Sequence, residues 1–313
     1  MLPGGHVVRF AILGPLRVER DGVPVEIGGR RQRDLLALLS VRPNRFLSAD
    51  WLADALWDGR PPASAAVTLR THVAGLRRAL EPGRGHRAPA ELLRGGNGGY
   101  ELTVPPDAVD AVRFTTLADD AAAALASGDA PLAEHRYREA LALWRGDVAV
   151  AGLEAVRADA ARLTEARLAA AEGWFTASVD LGRHHEVLPE LRRFVTEHPE
   201  RERARGRLML ALYRAGRQAE ALAVYDEGRR VLAEEYGVSP TEALRDLHRR
   251  ILDHDVPGVG GARGAGIVVP LEENENRGPL GEDPCGARPA VVAGPDGREV
   301  GGGPGVAVGS GLG

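Results

Sequence analysis

Changes in the spacing of hydrophobic positions predict a small α+β unit over the first hundred residues. Three short β-prone runs separated by turn signals predict a small antiparallel sheet. These runs are residues 7–14, 16–20 and 23–27, with Gly14-Pro15 and Asp21-Gly22 between them. Helical spacing then predicts three helices, at residues 30–41, 49–57 and 64–80. Ser48 is a suitable N-cap for the second helix, and β-prone runs around Gly95–Gly99 predict a hairpin.

The third predicted helix has two different faces. An apolar stripe at helical spacing faces one way, and its members are Leu69, Val73, Leu76 and Leu80. Small and cationic residues face the other way, with Arg70 and Arg77 at the border. An arginine-edged helix followed by a glycine-tipped hairpin is the layout of a winged helix, whose helix enters a DNA major groove while the hairpin contacts the backbone or minor groove. An ordinary amphipathic helix is the alternative interpretation.

Residues 111–254 are predicted to be almost entirely helical and contain an internal repeat. A glycine, two small or apolar residues and a large residue recur at similar spacing in three places. The three sets are Gly128, Ala133, Tyr137 and Ala140; Gly182, Val187, Leu191 and Phe194; and Gly216, Ala221, Tyr225 and Gly228. Gly182 and Gly216 are 34 residues apart, the tetratricopeptide period. Chance similarity among alanine-rich helices is the alternative.

The end of the chain has a different composition. The 57 residues from Pro257 include 17 glycines and 7 prolines, which predicts a disordered tail. The chain is therefore predicted to be mostly α. It comprises a winged helix at 1–105, an all-α tetratricopeptide-like domain at 110–255 and the tail at 256–313, and the length lets each of two domains bury its own core.

Charge and residue usage narrow the classes of function. Residues 1–104 carry 15 arginines and 10 acidic residues, whereas residues 105–313 carry 25 arginines and 34 acidic residues, so a polyanion site is expected in the first part. All 40 basic residues are arginines, which excludes chemistry that depends on a lysine. The single cysteine, Cys285, together with the lack of a signal peptide or an apolar run long enough for a membrane span, predicts a cytoplasmic protein.

Several motifs resemble the Streptomyces antibiotic regulatory protein family of transcriptional activators. In the first half, the motifs similar to its OmpR-type winged helix are Gly28–Arg33, Leu35–Leu39, Leu52–Trp57, Thr71–Val73, Leu76–Leu80 and Gly99–Leu102. In the second half, those similar to its bacterial transcriptional activation domain are Val109–Phe114, Ala140–Gly146, Leu208–Arg214, Gly216–Leu222 and Gly237–Pro240. The resemblance covers about residues 7–254. One departure is Ala74-Gly75, where relatives usually carry Ser-Arg, and it removes two side chains that could face DNA.

The resemblance implies an activator that binds direct repeats in double-stranded promoter DNA as a homodimer and recruits RNA polymerase. It also implies control of a secondary-metabolite (antibiotic) gene cluster. In the response-regulator type, the loop between the second and third helices faces the polymerase, so Asp58 and Arg60 are expected to act in activation.

The predicted DNA contacts are mostly arginines, which bind guanine or phosphate through a planar fork. They are Thr68, Arg70, Thr71, Arg77, Arg78, Arg94 and Asn97, with Arg30, Arg31 and Arg33 as phosphate ligands near a helix N-terminus. No nucleophile–base set is found, so no enzyme activity, cofactor or metal is expected. The competing function is a tetratricopeptide-type scaffold whose N-terminal domain binds protein. That function requires leucine or aromatic anchors on the exposed face of residues 64–80.

Overall fold

Two small antiparallel sheets and three helices form the N-terminal part of the structure. The computed structural model describes residues 7–85, 88–150 and 152–256. In chain order the elements are β1 (Val8–Ala11), β2 (Arg17–Arg20), β3 (Val23–Pro24), α1 (Arg30–Val41), β4 (Leu47–Ser48), α2 (Ala49–Leu56), α3 (Ala65–Leu80), β5 (Leu93–Gly96) and β6 (Gly99–Leu102). Apart from the two-residue strand β4, this is the predicted order, and the fold class is confirmed.

The two sheets have different roles. The first has the order β1-β2-β3, and its alternating residues Val8, Phe10 and Val18 are buried. The second has the order β4-β6-β5 and contains the predicted hairpin. Asn97 and Gly98 at the hairpin tip have φ angles of 39° and 81°, which is the left-handed geometry that a tight two-residue turn requires.

Local signals set the ends of the first two helices. Helix α1 starts at Arg30 and ends at Val41, as the sequence predicts. Ser48 caps α2, since its hydroxyl oxygen accepts a hydrogen bond of 3.2 Å from the Trp51 N–H. Helix α2 ends at Leu56, one residue earlier than predicted.

The remainder is a row of helices with the predicted repeat. The helices are α4 (Asp110–Ala126), α5 (Ala130–Leu141), α6 (Arg157–Asp180), α7 (His184–Glu197), α8 (Glu202–Arg214), α9 (Gln218–Glu235) and α10 (Glu242–Leu252). Helices α4 and α5, α6 and α7, and α8 and α9 form packed pairs. Short 3-10 turns at Pro106–Ala108 and Glu154–Val156 precede α4 and α6.

The same turn joins the helices of all three pairs. Gly128, Gly182 and Gly216 have φ angles of 84°, 78° and 75°. In each case the next residue donates its N–H to the carbonyl five positions earlier, at distances of 2.9 Å. This pairing ends a helix on a left-handed glycine. The tetratricopeptide-like interpretation is therefore confirmed.

The last helix of the described residues, α10, packs against α8 and α9. The rings of Tyr225 and His248 stack with centroids 3.9 Å apart, and the Gln218 amide donates to the Ile251 carbonyl at 3.1 Å. Val256 packs against the same core, whereas the predicted tail from residue 257 onward lies outside the described residues. No helix in the described ranges is long and apolar enough to cross a membrane.

The hydrophobic core does not divide where the predicted domains divide. One continuous cluster joins the buried residues of both sheets and α1–α3 to those of α4, α5 and α6, where it extends as far as Ala177. A second cluster begins at Phe175 in α6 and extends to α10. The first half therefore completes its core with α4–α6, and the predicted division into two domains stays a prediction.

Polar contacts reinforce this shared core at its edge. The Asp110 carboxylate accepts hydrogen bonds from the N–H groups of Ile12 at 2.7 Å and Leu13 at 3.0 Å. Arg145 lies 3.4 Å from the same carboxylate and donates its main-chain N–H to the Leu13 carbonyl at 2.7 Å. Gly14 has a φ of 140°, and a Cβ there would lie 2.8 Å from the Arg145 Cβ. The close approach therefore requires glycine at this position.

Candidate nucleic-acid interface

Helix α3 presents one face to solvent and buries the other against α1 and α2. The buried face is the predicted stripe of Leu69, Val73, Leu76 and Leu80. The line of Val67, Thr71, Ala74 and Arg78 is offset from this stripe by two residues, or about 200° around the helix. All four residues of this line are exposed. The helix therefore leaves one continuous face available to a partner.

Arg70 and Arg78 are free on this exposed side. Across the described ranges, neither side chain has a hydrogen bond, an ion pair or an aromatic contact. Each guanidinium carries five N–H donors in a planar fork. Because no internal partner uses these donors, both arginines are available to bind an anion or a base edge.

Arg77 is committed to the hairpin instead. Its Nε donates to the Leu93 carbonyl at 2.9 Å, and its guanidinium carbon lies 5.9 Å from the centre of the Tyr100 ring. A Cβ at Gly95 would lie 2.9 Å from an Arg77 nitrogen, so the strand passes close to the side chain. Arg77 thus fixes the hairpin against α3.

Three arginines surround a cavity of about 550 Å³ between α3 and the hairpin. Arg77 contributes from α3, Arg94 from β5 and Arg84 from the connection between them. The Arg94 Nε donates to the Glu91 carbonyl at 3.3 Å, and the Arg84 Nε lies 3.3 Å from Glu81. Arg84 is not among the DNA contacts predicted from the sequence, because nothing in the local pattern indicates that the chain folds back beside α3.

The predicted hairpin residues are accessible. Arg94 and Asn97 are exposed, and Asn97 stands at the tip of the turn. Thr68 is half-buried on the flank of α3, whereas Thr71 is exposed and its hydroxyl donates to the Val67 carbonyl at 3.1 Å.

The three arginines at the start of α1 all have internal partners. Arg30 is 88% exposed but lies 3.7 Å from Asp34, and Arg33 donates to the Gly28 carbonyl at 3.0 Å. Arg31 donates to the Leu56 carbonyl and lies over the Trp57 ring, 5.4 Å from its centre. These contacts orient the guanidinium groups, and binding of phosphate by this cluster stays a prediction.

The start of α1 also explains the unusual glycine in α3. A Cβ at Gly75 would lie 2.3 Å from the Gln32 amide nitrogen, so Gly75 faces α1. Ala74, by contrast, is exposed. The Ala74-Gly75 departure therefore removes one outward side chain, not the two expected from the sequence. Nearby, burial and the charge of Arg31 both lower the pKa of His72, which favours its neutral form.

The loop between α2 and α3 is exposed and conformationally defined. Asp58 and Gly59 have φ angles of 50° and 74°, and the Gly59 N–H donates to the Asp54 carbonyl at 2.8 Å. In the part of the chain that the structure describes, the side chains of Asp58 and Arg60 have no internal partner. Both are therefore free to contact another molecule.

The exposed face of α3 distinguishes between the two functions left open by the sequence. Every leucine of α3 is buried, and the helix contains no Phe, Tyr or Trp. Anchors for a protein partner are enriched in large aromatic side chains, which this face lacks. A small, cationic face beside a hairpin favours DNA.

Comparisons with known proteins agree with this geometry. The family described as "Transcriptional regulatory protein, C terminal" matches residues 25–102, and "Bacterial transcriptional activator domain" matches residues 109–252. Regulatory protein DnrI of Streptomyces peucetius is 37% identical over 258 residues, covering 80% of this chain and 94% of DnrI. Regulatory protein AfsR of Streptomyces coelicolor is 43% identical over 251 residues, covering 79% of this chain but 24% of AfsR. The chain therefore spans about a quarter of the length of that relative.

A solved structure has the same fold. The structure of Mycobacterium tuberculosis EmbR in complex with a low-affinity phosphopeptide superimposes with a TM-score of 0.75 at 32% identity. The similarity covers 81% of this chain and 67% of the EmbR chain. Both family matches, and a relative similar over nearly its full length, lead to one conclusion. The chain belongs to the Streptomyces antibiotic regulatory protein family of transcriptional regulators.

Proposed function

We propose that this protein is a sequence-specific DNA-binding transcriptional activator that inserts α3 into the major groove. The observation that carries the proposal is the pair of unpartnered arginines, Arg70 and Arg78, on the exposed face of a helix whose other face is buried. A major groove about 12 Å wide admits one such helix. The proposal assigns DNA binding to residues 1–105 and includes no catalytic step, cofactor or metal.

The state of each arginine suggests its role. Arg70 and Arg78 keep all their donors and can reach base edges or phosphates. Arg77, Arg84 and Arg94 meet at the junction of helix and hairpin, where a DNA backbone beside the groove would pass. We assign these three, with Asn97 at the tip, to phosphate and sugar contacts. Thr68, Thr71 and the cluster of Arg30, Arg31 and Arg33 complete the proposed interface.

The proposal for assembly follows the family. Two copies bind direct repeats in a promoter, as a homodimer on DNA, and the helical domain at 110–255 supplies contacts between copies or with RNA polymerase. Asp58 and Arg60 form the polymerase-contact loop, since both are exposed and unpartnered within the described residues. The family name indicates an antibiotic gene cluster as the target, and a bacterial DNA partner implies action in the cytoplasm. The tail at 256–313 is given no role.

Electrophoretic mobility shifts on genomic promoter fragments test DNA binding. Arg78→Ala should weaken binding by about 1–3 kcal/mol if Arg78 reads a base, whereas loss of a phosphate contact should reduce the salt slope by about one. Arg162→Ala, an exposed and unpartnered arginine of α6 within the described residues, is the charge-matched control. If binding to promoter DNA is absent, or does not weaken with salt, the proposal is wrong.

The activation loop is tested separately by transcription with purified polymerase. Asp58→Asn combined with Arg60→Ala should keep DNA affinity and lose activation. Asparagine is chosen because it tolerates the left-handed backbone of residue 58. Loss of both activities together would mean that the loop is structural.

A further inference from the structure

A line of methyl groups runs along the centre of the exposed face of α3. Val67 is 59% exposed, although large aliphatic side chains are usually buried. Thr71 and Ala74 follow at helical spacing and are also exposed. Arg70 lies beside the middle of this line and Arg78 follows Ala74 at its C-terminal end, so the apolar strip has cations on one flank and at one end.

Thr71 belongs to this line through its methyl group. Its hydroxyl donates to the Val67 carbonyl at 3.1 Å, so the hydroxyl proton is used inside the helix. The side chain then offers no free donor to a base. Val67, Thr71 and Ala74 together present an apolar strip without a hydrogen-bond donor.

The major groove contains one apolar group that matches such a strip, the C5-methyl of thymine. From residue 67 to residue 74 the helix rises about 10 Å, the length of about three base-pair steps. We propose that Val67, Thr71 and Ala74 read thymine methyl groups, so that the target half-site carries thymines under the centre of α3. This inference rests on the proposed function, since it requires α3 to lie in the groove.

Other partners fit the strip less well. Methyl groups cannot bind phosphate or the acceptors of guanine, so the strip itself selects neither. A protein partner would bury larger anchors than a valine and an alanine. Such a partner would also have to supply carboxylates for the adjacent unpartnered arginines, since burying them without one is unfavourable. Thymine, with phosphates on both sides, matches both the apolar centre and the cationic surroundings.

The test removes one methyl group at a time from the DNA and from the protein. A binding site is first selected from a random duplex library, and each thymine is then replaced by deoxyuridine, which lacks only the C5-methyl. At one to three adjacent positions, each replacement should weaken binding about fourfold, because that is the change in affinity expected when one buried methyl group is lost. Val67→Ala should weaken binding about tenfold on the thymine site, and less on the deoxyuridine site.

Matched variants separate this role from folding. Thr71→Val keeps the methyl group and places a second methyl where the internally bonded hydroxyl was, so it should bind thymine sites at least as tightly as the wild-type protein, whereas Thr71→Ser should lose affinity for them. Val23→Ala removes an exposed valine from β3, away from α3, and should leave binding unchanged.

Each result decides one question. Specific binding that is indifferent to deoxyuridine overturns the thymine inference and leaves the proposed function standing. The thymine inference is also overturned if Val67→Ala loses the same affinity on the thymine site and on the deoxyuridine site. Val67 would then contribute to binding without contacting the thymine methyl group. Failure of the library to yield any specific site overturns the proposed function itself. A protein would then be the expected partner of the exposed face of α3.

Discussion

The Asp110 carboxylate joins the first strand to the helical part, so we expect its removal to destabilise both together. In Asp110→Ala the N–H groups of Ile12 and Leu13 lose their acceptor, and both residues are fully buried. Each buried unsatisfied donor costs about 1–3 kcal/mol. Burial already disfavours the charged carboxylate, so removing it offsets part of this loss. The free energy of unfolding should therefore fall by about 2–4 kcal/mol.

Thermal unfolding followed by circular dichroism measures this loss. For a fold of this size the midpoint should drop by about 5–15 °C. Asp107→Ala is the matched control, because Asp107 is exposed and, within the described ranges, has no side-chain partner. The shared core also predicts that the winged helix and α4–α5 unfold in one transition. A midpoint of thermal unfolding for Asp110→Ala equal to that of the wild-type protein would refute this account of Asp110.

The pH dependence of stability reports the burial of the same carboxyl group. Burial raises the pKa of Asp110 above its ordinary value of 3.8, outweighing the two N–H donors and the charge of Arg145. The folded protein therefore holds this proton more tightly than the unfolded chain does. The resulting stability is fully present below pH 3.8 and is lost as the pH rises through the folded pKa. The difference in unfolding free energy between the wild-type protein and Asp110→Ala should therefore become smaller as the pH rises from 3.8 through the folded pKa of Asp110.

Three further predictions concern the hairpin, the tail and the repeats. In Gly99→Ala the new Cβ would lie 2.3 Å from the Leu47 carbonyl oxygen, so stability should fall by about 1–3 kcal/mol, while Gly96→Ala, which meets nothing, should melt unchanged. A chain ending at Val256 keeps every residue of the second core that the structure describes, so its melting and DNA titration should match those of the full chain, and a tenfold change in affinity would contradict this. If two copies touch on direct repeats, inserting half a helical turn between the repeats should abolish cooperative binding in a footprinting assay, and unchanged cooperativity would contradict that contact.

Elements that depend on neighbouring residues were predictable from the sequence. The bounds of α1, the Ser48 cap and the three glycine turns all follow from side chains within one helical turn of the feature. The buried stripe of α3 was predictable for the same reason, because helical spacing alone determines which residues share a face. Such signals need no knowledge of distant parts of the chain.

The direction of individual arginines was not predictable. Spacing places Arg77 at the border of the exposed face, but the side chain turns to Leu93 and Tyr100, which are 16 and 23 residues further along. Arg84 reaches the same cavity from a connecting segment. The choice between a free and an engaged arginine depends on these distant partners. Only the structure therefore separates the unpartnered side chains of Arg70 and Arg78 from the engaged side chain of Arg77.

The shared core gives a physical meaning to the Val109–Phe114 motif. By resemblance the motif belongs to the second half, yet Val109 pairs with Phe10 of β1, and the Asp110 carboxylate accepts hydrogen bonds from Ile12 and Leu13. Phe114 is fully buried in the core that also contains Leu69 of α3. The motif therefore supports the winged helix from outside its own boundaries. Substitutions in α4 should consequently change DNA affinity without contacting DNA, since they act on the packing that positions α3.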